Sequence, residues 1–175
     1  MPLLLKPLNG SKMKLIKLGL ISFLVLGTII TSIGLLFPST VLVSRAVDVN
    51  ASIVKIKPMV ANMHQWPLWM EGMKDSSVTI HSSTSAQIGN TAVTITAVTD
   101  STIVASWKGA DGVEQISTMR LIGEPTANTA IVQWQFVQQI GWYPWERFGS
   151  MMNDKIMGAL MEKHLQQIKM IAEQP

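Results

Sequence analysis

Three histidines, His64, His81 and His164, are the first candidates for acid–base or metal chemistry, and their spacing favours neither. They fall in different predicted elements, and no His-x-x-x-His pair puts two imidazoles on one helix face. His64 adjoins a tryptophan pair and could reach a pocket mouth. His164 sits beside Glu162 on the last helix, where a solvated helix face is the ordinary role. There is no cysteine, which removes disulfides, thiolate catalysis and Cys-ligated zinc. Gly-x-Ser-x-Gly, His-Glu-x-x-His and phosphate-loop motifs are missing as well. Asp48, Asp100, Asp111 and Glu124 fall at strand ends or turns, where water solvates them. Glu71 and Asp75, near the tryptophan pair, read as loop charge. No catalytic residue, metal site or cofactor is therefore assigned.

The residue types that stand out are apolar and adaptable. There are six tryptophans and 12 methionines. Such side chains fill irregular space and accommodate varied apolar shapes, which suits a pocket for a hydrophobic molecule as well as a plain core. The candidate walls are Trp107, Met119, Trp134, Met152 and Ile156, with Trp66 and Trp69 near the mouth. Arg120 is the eighth candidate. It lies mid-strand on the face that carries Ile116 and Ile122, and turned inward it would need a partner or an anionic ligand group.

The elements that must position these residues follow from periodicity. Val41–Asn50 reads as a first strand. Two short helical pieces follow, Ser52–Lys57 and Pro58–Met63, because Pro58 opens a helix better than it sits inside one; Trp66-Pro67 ends them. Five strand-like runs come next: Ser77–Ser82, Thr91–Val98, Thr102–Lys108, Glu114–Ile122 and Ala130–Val137. Asp100-Ser101, Gly109 to Gly112 and Gly123-Glu124-Pro125 punctuate them, and connections this short imply antiparallel hairpins. A last helix spans Pro144–Glu173, with Phe148, Met152, Ile156 and Ala159 continued by Met161, Leu165, Ile168 and Ala172 as its apolar stripe. Gly158 within it marks a close approach by a strand or a ligand.

Leu18–Phe37 is a run of 20 residues without a charge, long enough as a helix to cross a bilayer's hydrocarbon core of about 30 Å. Pro38 marks the exit. Lys6, Lys12, Lys14 and Lys17 precede the run with no acid among them. The positive-inside rule then places residues 1–17 in the cytoplasm, 18–37 in the membrane and 38–175 on the far side, periplasmic in a Gram-negative cell. A cleaved signal peptide would have a shorter apolar region and a small-x-small site just after it. The net charge of +3 belongs to this anchor; the rest carries 10 basic and 11 acidic residues, so nucleic acid is rejected as a partner. Trp142, Tyr143 and Trp145 suit a bilayer surface.

The order strand, two short helices, antiparallel strands, long helix resembles the START-like or SRPBCC superfamily, which includes polyketide cyclase-like and lipid-transfer proteins. Asn62-Met63-His64-Gln65-Trp66-Pro67-Leu68-Trp69 resembles the family's D/N-x-x-x-W-x-x-W signature. Trp142-Tyr143-Pro144-Trp145-Glu146-Arg147-Phe148, followed by the long helix ending Leu165-Gln166-Gln167-Ile168-Lys169, is a second point of resemblance, and bacterial members with an N-terminal anchor look similar throughout. Gly89-Asn90-Thr91-Ala92 departs from the family's W-x-G. The resemblance covers Val41 to Glu173. It implies an α+β helix-grip domain, with a curved antiparallel sheet of about six strands wrapped on the C-terminal helix, and a cavity between them for a lipid or other hydrophobic small molecule. The superfamily also contains enzymes, so a cyclase or hydrolase in the same cavity, or an interaction module with a filled core and an unidentified protein partner, are the alternatives.

Overall fold

The chain alternates between segments with helical and strand periods, and a computed structural model shows how they assemble. It describes residues 10–36, 40–139, 141 and 143–174, with the side chains of 10, 11 and 144–154 left out. The first helix, α1, spans Gly10–Leu36. Its Lys12–Leu36 stretch is long and apolar enough to cross a membrane, and its most apolar 18-residue window has a mean hydropathy of 2.2. Apolar side chains such as Leu18, Phe23 and Ile29 are exposed along it.

The remaining elements are β1 (Thr40–Val49), α2 (Ile53–Ala61), a 3-10 helix (Met63–Leu68), β2 (Val78–Ile80), β3 (Ser85–Ile88), β4 (Thr91–Val98), β5 (Thr102–Lys108), β6 (Glu114–Ile122), β7 (Ala130–Gln139) and α3 (Pro144–Ala172). The strands form one 7-stranded sheet in the order β1-β7-β6-β5-β4-β3-β2. Every pairing is antiparallel. From β2 to β7 the chain meanders; β1 joins at the edge beside β7, in register from Thr40↔Gln139 to Val49↔Ala130.

Strand alternation decides which side chains face the core. Ala130, Val132, Trp134 and Phe136 of β7 are buried, as are Ser117, Met119 and Leu121 of β6 and Ile103 and Ala105 of β5. α3 packs along β1 on this inner face and buries Met161, Leu165, Ile168 and Ala172. Its C-terminal end is fastened by the Asn50 amide donating to Glu173 Oε1 at 2.8 Å and by Lys55 Nζ donating to the Gln174 carbonyl.

Several expectations change. The sheet has seven strands, because β3 forms between β4 and the edge strand β2. Pro58 lies inside a single helix, α2. The amide it lacks would have met the Val54 carbonyl, and both residues are on the exposed side, so the missing bond falls where water can substitute. The stripe of α3 also has a different phase. Ile156 and Met161 are five residues apart, about 140° around a helix; Met161 is buried and Ile156 is 68% exposed. Gly158 does mark a close approach, and the neighbour is β1. A Cβ there would lie 2.2 Å from Arg45 Nη2, whose guanidinium crosses α3 to reach Glu162 at 2.7 Å.

Candidate functional site

The segment Asn62–Trp69 is built by hydrogen bonds at helix ends. The last carbonyls of α2 have no partner within the helix. Trp66 Nε1–H donates to the Val60 carbonyl at 3.0 Å, and Trp69 Nε1–H donates to the Met59 carbonyl at 2.9 Å. Asn62 Oδ1 accepts the His64 amide at 3.0 Å and caps the 3-10 helix. The two indoles thus close one helix and hand their rings to the core. Trp66 stacks on Trp107 at 5.8 Å between centroids. Trp69 meets Trp134 edge-on at 5.8 Å. Phe136 bridges Trp107 and Trp134 at 5.5 and 5.3 Å.

Against this aromatic cluster, between the sheet and α3, lies a cavity of about 560 Å³. That is within the usual range of roughly 300–1,000 Å³ for small-molecule sites. Its inner wall is buried and mostly apolar: Met70, Trp134, Phe136, Met161 and His164. Trp107 and Met157 stand at mid-depth. The rim is exposed and more polar, with Glu71, Asp111, Val113 and Leu160. Trp107 is held in place by its Nε1–H, which donates to the buried Ser117 Oγ at 2.9 Å. Asp111 Oδ1 accepts the Val113 amide at 3.0 Å, which shapes the β5–β6 loop at the rim.

His164 is the polar member of the buried wall. Its ring packs between Trp134 at 6.1 Å and Trp69 at 6.3 Å. Nε2 accepts the Glu71 backbone amide at 3.1 Å, and the neighbouring Lys163 Nζ donates to Glu71 Oε2 at 2.6 Å. Two successive residues of α3 thereby latch the loop that carries Met70 and Glu71 over the cavity. Burial lowers the His164 pKa below its ordinary value, against the opposing pull of the Glu71 carboxylate. The imidazole is thus neutral at pH 7. The hydrogen bond from Lys163, with its charge, lowers the Glu71 pKa. Among the described residues no group of three or more His, Cys, Asp or Glu side chains is placed to hold a metal ion.

Of the eight residues singled out from sequence, Trp107 and Trp134 line the cavity. Trp66, Trp69 and Met119 are in the core behind it, with Trp66 and Trp69 only 3% and 1% exposed, so neither tryptophan forms a mouth. Their indole bonds to α2 turn them inward. Arg120 is exposed on the outer face, opposite Gln133 and Thr102 on the adjacent strands, where its charge is open to solvent. Ile156 faces outward. The side chains of Met152, Phe148 and Trp145 are outside the described set, as are residues 142 and 37–39, where Trp142 and Pro38 fall. His164, expected on a solvated face, is 4% exposed. The signal for it was its spacing of three from Met161 and four from Ile168, which puts it on the buried stripe.

Compared by sequence, the chain matches no protein-family model and no curated protein. Solved structures do match. A START superfamily protein from Mycobacterium smegmatis is 19% identical with a TM-score of 0.54, over 75% of this chain and 97% of that one. The di-domain ARO/CYC StfQ of the steffimycin biosynthetic pathway is 10% identical with a TM-score of 0.54, over 77% of this chain and 51% of that one. A protein from Nitrosospira multiformis is 13% identical with a TM-score of 0.55, over 75% and 96%. At these identities the likeness speaks for the fold alone: the chain adopts the START-like helix-grip fold, an antiparallel sheet and a C-terminal helix with a largely apolar cavity between them.

Proposed function

We propose that this protein is a membrane-anchored START-like domain that binds a lipid or other hydrophobic small molecule in the cavity between sheet and α3. The observation that carries the reading is the cavity itself: about 560 Å³, walled by Trp107, Trp134, Phe136, Met157 and Met161. A ligand burying about 300 Å² of apolar surface there would gain about 7.5 kcal/mol at roughly 25 cal/mol per Å². Part of that offsets the freedom lost on association. The START superfamily neighbour and the ARO/CYC neighbour support the reading through their shared architecture.

The anchor in this proposal is α1. Four lysines precede Leu18, so the N-terminus is assigned to the cytoplasm and residues 38–175 to the opposite side. A tether of this kind keeps the cavity beside a source of apolar molecules. A cyclase- or hydrolase-like reaction would have to use the same cavity. Binding is preferred because the one buried imidazole in the wall already has Nε2 committed to the Glu71 amide.

Native mass spectrometry of the full chain released from detergent tests the proposal. The expected spectrum carries an additional apolar mass, and Val113→Trp at the rim removes it while leaving the protein folded. Wild-type protein with no bound mass, even after incubation with a lipid extract, contradicts it.

A further inference from the structure

Among the described residues, the buried wall of the cavity holds one side-chain nitrogen without a hydrogen-bond partner. His164 is 4% exposed, lines the cavity, and its Nδ1 has no hydrogen-bond acceptor among the described residues. Because Nε2 accepts the Glu71 amide at 3.1 Å, a proton on Nε2 would set two donors against each other. The neutral ring therefore carries its proton on Nδ1. A buried donor without an acceptor is unfavourable, and an oxygen brought in by a ligand relieves it.

The charge around the site narrows the chemistry of that oxygen. Among the described lining residues there is no lysine or arginine, while Glu71 and Asp111 place two carboxylates at the rim. The Lys163 ammonium is occupied by Glu71. A carboxylate or phosphate head would meet the Asp111 carboxylate and find no lysine or arginine among the described lining residues to pair with. An uncharged acceptor needs no such partner.

We propose that His164 is the polar anchor of the cavity, donating its Nδ1–H to an uncharged oxygen (a ketone, ester or hydroxyl oxygen) of an otherwise apolar ligand. This rests on the reading of the cavity as a ligand site. Packing between Trp69 and Trp134, with Nε2 pinned to the Glu71 amide, holds the ring before any ligand arrives, so the donor is preorganised.

The test uses the full chain in nanodiscs, labelled at methionine methyls and histidine nitrogens, with empty nanodiscs as the partition reference. Tridecan-2-one, tridecane and tridecanoate are titrated while the Met161 methyl signal reports occupancy. The expected order is ketone about tenfold tighter than alkane, the gain of one neutral hydrogen bond, with tridecanoate weakest. In His164→Gln an oxygen still accepts the Glu71 amide but the Nδ1 donor is gone. In His164→Phe the ring stays between the tryptophans without either nitrogen. In both, the ketone should lose its advantage over the alkane, whatever the alkane's own affinity becomes. The wild-type nitrogen spectrum should show the Nδ1–H tautomer, with Nδ1 shifted by the ketone and not by the alkane. This last measurement decides the matter even if a variant fails to fold. An Nε2–H tautomer, a ketone preference that survives in a folded variant, or tridecanoate binding best would overturn the inference. Equal binding of ketone and alkane to wild type overturns the anchor and leaves the cavity reading standing. Binding of neither overturns both.

Discussion

Replacing Ile168 with alanine tests the phase of α3, on which the cavity wall depends. Ile168 is 0% exposed and Ile156, on the same helix, is 68% exposed. The change at Ile168 removes three carbons, worth about 2.4 kcal/mol of transfer free energy at about 0.8 per CH₂. It also leaves a void of roughly 60 Å³, which adds about 1.5 kcal/mol at about 24 cal/mol per Å³. Alanine's better helix propensity returns about 0.4 kcal/mol, so the expected loss is about 3.5 kcal/mol. At Ile156 only about a third of that transfer value is at stake, about 0.8 kcal/mol, and alanine's better helix propensity returns about 0.4. The assay is thermal unfolding of the full chain in mild detergent, followed by the fluorescence of the buried tryptophans. Ile168→Ala should lower Tm by roughly 12–20 °C and Ile156→Ala by under about 3 °C. Similar shifts, or a larger one at Ile156, would refute the assigned helix face, and Met157, Met161 and His164 would lose their place in the wall.

Three further outcomes are expected. The His164 pKa is lowered by burial in the folded protein, so the unfolded chain takes up the proton first. The corresponding stability is complete above about pH 6.5 and is lost as pH falls through that value toward the depressed folded one. Denaturation midpoints should drop between pH 7.5 and 5.5 in wild type and stay level in His164→Gln; the same drop in the variant contradicts the assignment. Trp69→Phe deletes the bond to the Met59 carbonyl and should cost about 1–3 kcal/mol in the same unfolding assay, because a carbonyl is left unpaired. A loss below about 0.5 kcal/mol would mean the helix end is satisfied by water. A reporter that fluoresces only in the cytoplasm, fused after Pro175, should stay dark, and a bright fusion reverses the proposed topology.

The strands were legible where alternation is bounded by turn residues. Thr91–Val98, Thr102–Lys108 and Glu114–Ile122 lie where the pattern puts them, because Asp100-Ser101, the Gly109–Gly112 turn and Gly123-Glu124-Pro125 end them in order. β3 was not legible. Ser85–Ile88 has little pattern of its own, and its extended form comes from pairing Ala86 with Val93 of β4. Alternation also names two faces of a strand without saying which is inner. Arg120 was grouped correctly with Ile116 and Ile122, and that whole row faces outward. Trp66 and Trp69 were legible as important, and their role was not: only the folded geometry brings their indoles onto the Val60 and Met59 carbonyls. In α3 Ile156 and Met161 both read as apolar stripe residues although their phases differ, and packing buries the phase of Met161, Leu165 and Ile168, which also carries His164.

Contacts between a bound probe and named methyl groups test the central claim most directly. The full chain, labelled at methionine methyls in deuterated detergent, is mixed with tridecan-2-one and intermolecular nuclear Overhauser effects are recorded. The account predicts cross-peaks from the probe chain to Met157 and Met161, which line the cavity, and none to Met170, which is 51% exposed and does not line it. Cross-peaks to Met170 of equal strength, or none to Met157 and Met161 at saturating probe, would contradict the claim that the space between sheet and α3 is a binding site for apolar molecules.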